Sequence, residues 1–104
     1  MPVEEAELES VAVEVRITGK VQGVGYRAWC AETARAIGVS GWVRNAPDGS
    51  VEAAFGGTRD QVGSMLKAAQ QGPAYAKVLA VTVTGRDIQV GDRFDVLPTR
   101  RPSS

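Results

Sequence analysis

The chain has no histidine among its 104 residues. That absence removes the usual general base at neutral pH, the commonest zinc ligand and any Ser-His or Cys-His nucleophilic pair. Cysteine is nearly as scarce. Cys30 is the only one, so no internal disulfide forms and a stapled secreted scaffold is not expected. No apolar run approaches the ~20 residues that cross a bilayer. The N-terminal stretch carries Glu4, Glu5, Glu7 and Glu9 in place of the basic-then-apolar plan of a signal peptide. The expectation is therefore a reducing cytoplasm and no membrane contact. Excess charge is missing too: Lys+Arg and Asp+Glu both number 12. Nonspecific nucleic-acid binders carry a basic excess, so nucleic acid is not an expected partner. A local positive site for a small anion is compatible with this balance.

What is present reads as one soluble domain with one core, because 43% of residues are hydrophobic and 23% charged at a length that supports a single core. Residues 1–10 and 98–104 are polar and read as loose tails around a domain at 11–97. Within it, Val11, Val13, Val15 and Ile17 alternate with Ala12, Glu14, Arg16 and Thr18 at the strand period. A segment from Gly19 to Gly25 follows, too glycine-rich for regular structure. Tyr26, Trp29, Cys30, Ala34 and Ile37 then recur at helical spacing, with Gly38 as the stop. A second strand at about 39–45 and a third at about 50–56 flank the tight turn Ala46-Pro47-Asp48-Gly49 and form a hairpin. Thr58 and Gln61 make a capping box for a second helix with the stripe Val62, Met65, Leu66 and Ala69, ended by Gly72-Pro73. A fourth strand carries Leu79, Val81 and Val83 on one face, and a short fifth lies around Phe94 and Val96.

The order β-α-β-β-α-β predicts the α+β, ferredoxin-like split β-α-β sandwich: an antiparallel sheet of four to five strands with both helices on one face. Trp29 and Phe55 are its largest core candidates, and core is also the expected place of Trp42. In this topology the first two strands of the unit run parallel with the third between them. Their carboxyl ends share one sheet edge, so the glycine-rich loop and Asn45 are expected to be neighbours.

The loop Gln22-Gly23-Val24-Gly25-Tyr26-Arg27 joins a strand to a helix N-terminus. Backbone N–H groups there can converge on an anion, the helix dipole adds positive charge, and Arg27 supplies a planar fork for two phosphate oxygens. On local pattern alone, a plain turn with a surface arginine fits equally well.

Two longer stretches separate these readings. Ile17-Thr-Gly-Lys-Val-Gln-Gly-Val-Gly-Tyr-Arg27 closely resembles the first signature of the acylphosphatase family, and Gly41-Trp-Val-Arg-Asn-Ala-Pro-Asp-Gly-Ser-Val51, followed by Gly57, resembles the second. Weaker likeness continues through Gly72-Pro73, Ala76, Val78 and Phe94, so the resemblance spans about residues 11–97. It implies a metal-independent, cofactor-free enzyme that hydrolyses the carboxyl-phosphate bond of a small-molecule acyl phosphate. It implies that the amides of residues 22–27 and the Arg27 side chain hold the phosphate while Asn45 orients the water. A monomer is the simplest expectation. Tyr26 stands where the family often has phenylalanine, Gly25 occupies a variable position, and the family's usual ending is replaced by Leu97-Pro98 and a polar tail.

Competing motifs are weaker. Gly23-Val-Gly25-Tyr-Arg-Ala28 matches a dinucleotide fingerprint, but the second strand ends in a hairpin rather than a further crossover. No NTP-binding P-loop sequence is present. A cysteine phosphatase would place its nucleophile at Val21, and Cys30 reads instead as a small core residue. Lys20 and Arg44 are candidates for steering an anion, though most such charges are simply solvated. The same element order also builds RNA-binding modules, so an inactive module that binds RNA or a small anion is the alternative. Its stacking aromatics are missing here: the third strand offers Val51, Ala53 and Phe55 on one face, Glu52 and Ala54 on the other.

Overall fold

Alternation of Val13, Val15 and Ile17 with Glu14, Arg16 and Thr18 produces β1 (Ser10–Lys20) in the computed structural model, which describes residues 9–102. The other elements follow as α1 (Tyr26–Ile37), β2 (Ser40–Asn45), β3 (Val51–Thr58), α2 (Arg59–Gln71), β4 (Lys77–Arg86) and β5 (Phe94–Val96). The strands form one sheet in the order β4-β1-β3-β2-β5. β3 lies antiparallel between β1 and β2, with Ile17 opposite Val51 and Asn45 opposite Val51 on its other side. β1 and β2 therefore run parallel and end at one edge, as the split topology requires.

The inward residues of β1, β2 and β3 join Cys30, Ala31 and Ala34 of α1 and Val62, Met65 and Ala69 of α2 in a single apolar cluster. Both helices thus cover the same sheet face. Phe55 is fully buried and stacks on Phe94 at 6.1 Å between ring centroids, while Trp29 packs partly buried at the cluster's margin. The capping box of α2 forms: Gln61 N–H donates to Thr58 Oγ1 at 3.1 Å, and Thr58 N–H donates to Gln61 Oε1 at 2.9 Å.

Four features differ from the sequence reading, each for a local reason. β1 continues through Gly19 and Lys20, because β4 comes so close that a Cβ on Gly19 would stand 2.1 Å from the Lys77 carbonyl oxygen. The register shift beside Gly19 skips Leu79, which inverts the alternation of β4 there. Leu79 is consequently 82% exposed, and Val78 takes its place with Val81 and Val83 against the core. β5 pairs parallel with β2, so the sheet is mixed rather than wholly antiparallel. Trp42 lies on the open face, half-buried, with the Arg44 guanidinium 4.6 Å over its ring, because the inward positions of β2 fall on Gly41 and Val43.

Ser10 already belongs to β1, and residues 1–8 and 103–104 of the expected tails lie outside the described residues. At the other end Leu97 N–H donates to the Val43 carbonyl at 2.9 Å, and Arg100 N–H donates to that of Asn45 at 2.8 Å. Among the described residues no helix is long and apolar enough to cross a membrane.

Candidate active site

The shared carboxyl edge of β1 and β2 brings the glycine loop and the β2–β3 hairpin together. Gln22 makes the junction: its Nε2 donates to the carbonyls of Ala46 and Ser50, each at 2.8 Å. Both amide protons of Gln22 are thereby engaged by the hairpin, so what this residue presents to the loop's interior is its main chain. Val24 packs partly buried against the core on the loop's inner side.

Gly23 and Gly25 both adopt left-handed backbone, with φ of 73° and 80°. A Cβ at either position would meet nothing within 4 Å. Packing therefore does not demand glycine at these positions; the backbone conformation does, and the loop's outer side stays open for an approaching group. Gly25 is also the N-cap of α1 and contributes no side-chain cap. The first helical bond runs from Trp29 N–H to the Gly25 carbonyl at 3.1 Å, which leaves the amides of the first turn without intrahelical partners.

α1 is unusual in a second respect. Its first turn has no acidic residue and carries Arg27. A cation at the positive end of a helix is unfavourable by roughly 0.3–1 kcal/mol. Among the described residues no carboxylate pairs with Arg27. Uncapped amides, the dipole and an arginine thus share one helix turn, and among the described residues no carboxylate offsets their charge, an arrangement suited to an external anion. α2 makes the contrast, with a side-chain cap and Asp60 in its first turn.

Tyr26 anchors the start of α1 to α2. It is buried, its hydroxyl donates to the Ala69 carbonyl at 2.8 Å, and its ring tilts against Trp29 at 5.3 Å. Burial, and to a lesser degree the neighbouring Cys30, push its hydroxyl pKa well above the usual range. The phenol thus stays neutral, and the loop gains only the backbone N–H of this residue.

Asn45 ends β2 on the inward side, in phase with Val43. Its Oδ1 is shielded from solvent and takes no hydrogen bond from any described residue. A buried amide oxygen without a donor costs about 1–3 kcal/mol, a cost that a group entering from outside removes. The hairpin that follows is held rigid. Asp48 Oδ1 accepts from the Ser50 hydroxyl at 2.6 Å and amide at 3.0 Å, and Arg16 pairs with Asp48 across the sheet. Those bonds from Ser50, then the charge of Arg16, hold the Asp48 carboxyl below the usual carboxylate range.

The other candidates are occupied or remote. Arg44 Nε bonds Glu52 Oε1 at 2.9 Å, and Lys20 is exposed. Cys30 is buried, and burial pushes its thiol up to about 12, so it is neither thiolate nor accessible. Among the described residues no three His, Cys, Asp or Glu side chains gather as a metal-ligand set. Two broad surface hollows, one beside the 87–91 connection and one between Arg35 and Asp95, include neither the loop nor Asn45. Sequence reasoning missed the Gln22 tie and the Arg100 contact, since neither side chain lies in a pattern that names its partner.

The family model described as acylphosphatase matches residues 13–96. An acylphosphatase from Rhodopseudomonas palustris is 46% identical over 98 residues, covering 88% of this chain and 99% of its own. One from Bradyrhizobium diazoefficiens is 46% identical over 93 residues, covering 84% and 94%. Among solved structures, the acylphosphatase of Bacillus subtilis superposes with a TM-score of 0.78 at 31% identity, over 84% of this chain and 98% of that one.

Proposed function

This chain belongs to the acylphosphatase family and hydrolyses the carboxyl-phosphate bond of acyl phosphates, and from that premise we propose how its residues divide the work. The main-chain amides from Gln22 to Arg27 and the Arg27 guanidinium hold the phosphoryl group. Asn45 orients the water that attacks it. The observation that carries this reading is the donorless, shielded Oδ1 of Asn45 on the same sheet edge as an uncapped helix end bearing Arg27.

The chemistry asks little more of the protein. Water oxygen bonds to phosphorus as the bond from phosphorus to the acyl oxygen breaks, and its electron pair leaves with the carboxylate. A carboxylate is stable once released, so no general acid is required. The transition state is loose and in-line, with charge spread over the equatorial phosphoryl oxygens. Fixed N–H dipoles and Arg27 stabilise that charge without reorganising. Asn45 Oδ1 accepts a hydrogen bond from one O–H of the water, which keeps that hydrogen, and fixes the water oxygen opposite the leaving group. The other water proton passes to a phosphoryl oxygen, which yields inorganic phosphate and accounts for catalysis by a chain without histidine. The reaction so drawn uses no metal and no cofactor. The enzyme acts as a cytoplasmic monomer on a small acyl phosphate and takes no nucleic-acid partner.

Hydrolysis of a synthetic acyl phosphate in the presence of a chelator tests the assignment. The unmodified protein is expected to be active, and Asn45→Ala to lose on the order of a hundredfold to a thousandfold in kcat. Arg27→Lys is expected to be comparably weak, because an ammonium replaces the two-pronged contact with a point charge. Dependence on added metal, or variants that match the parent, contradict the proposal.

A further inference from the structure

The chain beyond β5 continues alongside β2 and reaches the residue that the mechanism relies on for water. Arg100 holds that position twice. Its main-chain N–H donates to the Asn45 carbonyl at 2.8 Å, on the flank of Asn45 away from β3. Its Nε donates to Glu52 Oε1 at 3.1 Å, on the same oxygen that accepts from Arg44 Nε at 2.9 Å. Glu52 stands on β3 directly opposite Arg44, the residue before Asn45. Both attachments are partly shielded, with the Glu52 side chain 19% exposed and that of Arg100 36%.

Without this segment the last residue of β2 is an edge residue, paired only to Val51 and followed at once by a turn. Strand ends of that kind fray. With it, the Asn45 carbonyl is bonded on the flank away from β3, and the residue is held between Arg100 on that side and Val51 on the other.

We infer that Arg100 is a positioning residue for the hydrolysis: it clamps the backbone of Asn45 and so fixes the amide that orients the water. The inference rests on the assignment of Asn45 given above. It separates two parts of catalysis, since the phosphate is held by the loop and Arg27, which Arg100 does not touch. Loosening the clamp therefore lowers turnover and leaves phosphate affinity unchanged.

Three substitutions and two controls test this, each assayed for kcat, KM, competitive inhibition by inorganic phosphate, and melting temperature. Arg100→Pro removes both the N–H and the guanidinium, at a residue that has no positive φ for the proline ring to oppose. It is expected to lower kcat about tenfold or more, because a misplaced reacting group is costly even when the change is remote. Arg100→Ala retains the N–H and falls in between, and Arg100→Lys, which still reaches Glu52, stays near the parent. The inhibition constant for phosphate is expected to match the parent in all three. Arg101→Ala, an exposed neighbour of equal charge, keeps full activity. Asn45→Ala is the second control. If it is inactive while Arg100→Pro turns over like the parent, the clamp is wrong and the assignment of Asn45 survives. If Asn45→Ala itself is active, both fail. A parallel rise in the phosphate inhibition constant of Arg100→Pro overturns the clamp as well, since that marks general loss of structure.

Discussion

Gly23 separates geometry from charge in the loop proposed to hold phosphate. Its φ of 73° lies where a side chain is strained, yet an added Cβ would meet nothing within 4 Å. The penalty of Gly23→Ala is therefore conformational and amounts to about 1–2 kcal/mol. The loop can relieve that strain only by rotating its peptide planes, which on the proposed reading turns the amides away from the phosphate. Weaker competitive inhibition by phosphate is expected, with a modest fall in melting temperature and unchanged circular dichroism. Inhibition equal to the parent would show that the amides do not depend on this backbone. The roles proposed for Arg27 and Asn45 come from two long signatures, whereas the part played by Gly25 was not legible there. As a helix cap it contributes no side chain, so the first-turn amides stay free of a side-chain acceptor.

Elements supply the distances that residues alone do not. The loop after β1 and the hairpin after β2 are joined by the two hydrogen bonds of Gln22. Gln22→Ala breaks both and leaves the carbonyls of Ala46 and Ser50 without these donors, which lets the two halves of the site drift apart. A several-fold fall in kcat/KM is expected, with loss of water positioning and of phosphate binding together, in contrast to the Arg100 variants. An activity equal to the parent's would show that the sheet edge alone fixes the site. The helices and the first three strands were readable because their apolar period matches their burial. Leu79 was not, because a bulge breaks the period at that residue. The parallel pairing of β5 and the seat of Arg100 were not readable either, because Pro98-Thr-Arg-Arg-Pro102 has the composition of a loose tail. Hydrogen bonds from its main chain, which composition does not encode, lay it along β2.

Across the whole molecule, the one thiol reports on the integrity of the core. Cys30 packs in the cluster that joins both helices to the sheet, and burial raises its pKa from 9.0 to about 12. The folded chain then keeps a proton that the unfolded chain loses, so the thiol's contribution is intact below about pH 9 and is lost as pH rises towards 12. Melting temperature should decline through that range, and Cys30→Ala should flatten the decline whatever its effect at neutral pH. An unchanged alkaline slope in that variant would contradict the placement of Cys30. On the proposed reading, fold, loop and hairpin serve one arrangement: main-chain nitrogens, Arg27 and Asn45 acting together at a single sheet edge. The most direct measurement is a crystal structure with inorganic phosphate bound. The account predicts phosphate oxygens on the amides of residues 22–27 and on the Arg27 guanidinium, with a water bonded to Asn45 Oδ1 on the open side of phosphorus. Phosphate bound elsewhere, or Asn45 Oδ1 turned away from it, would contradict the account.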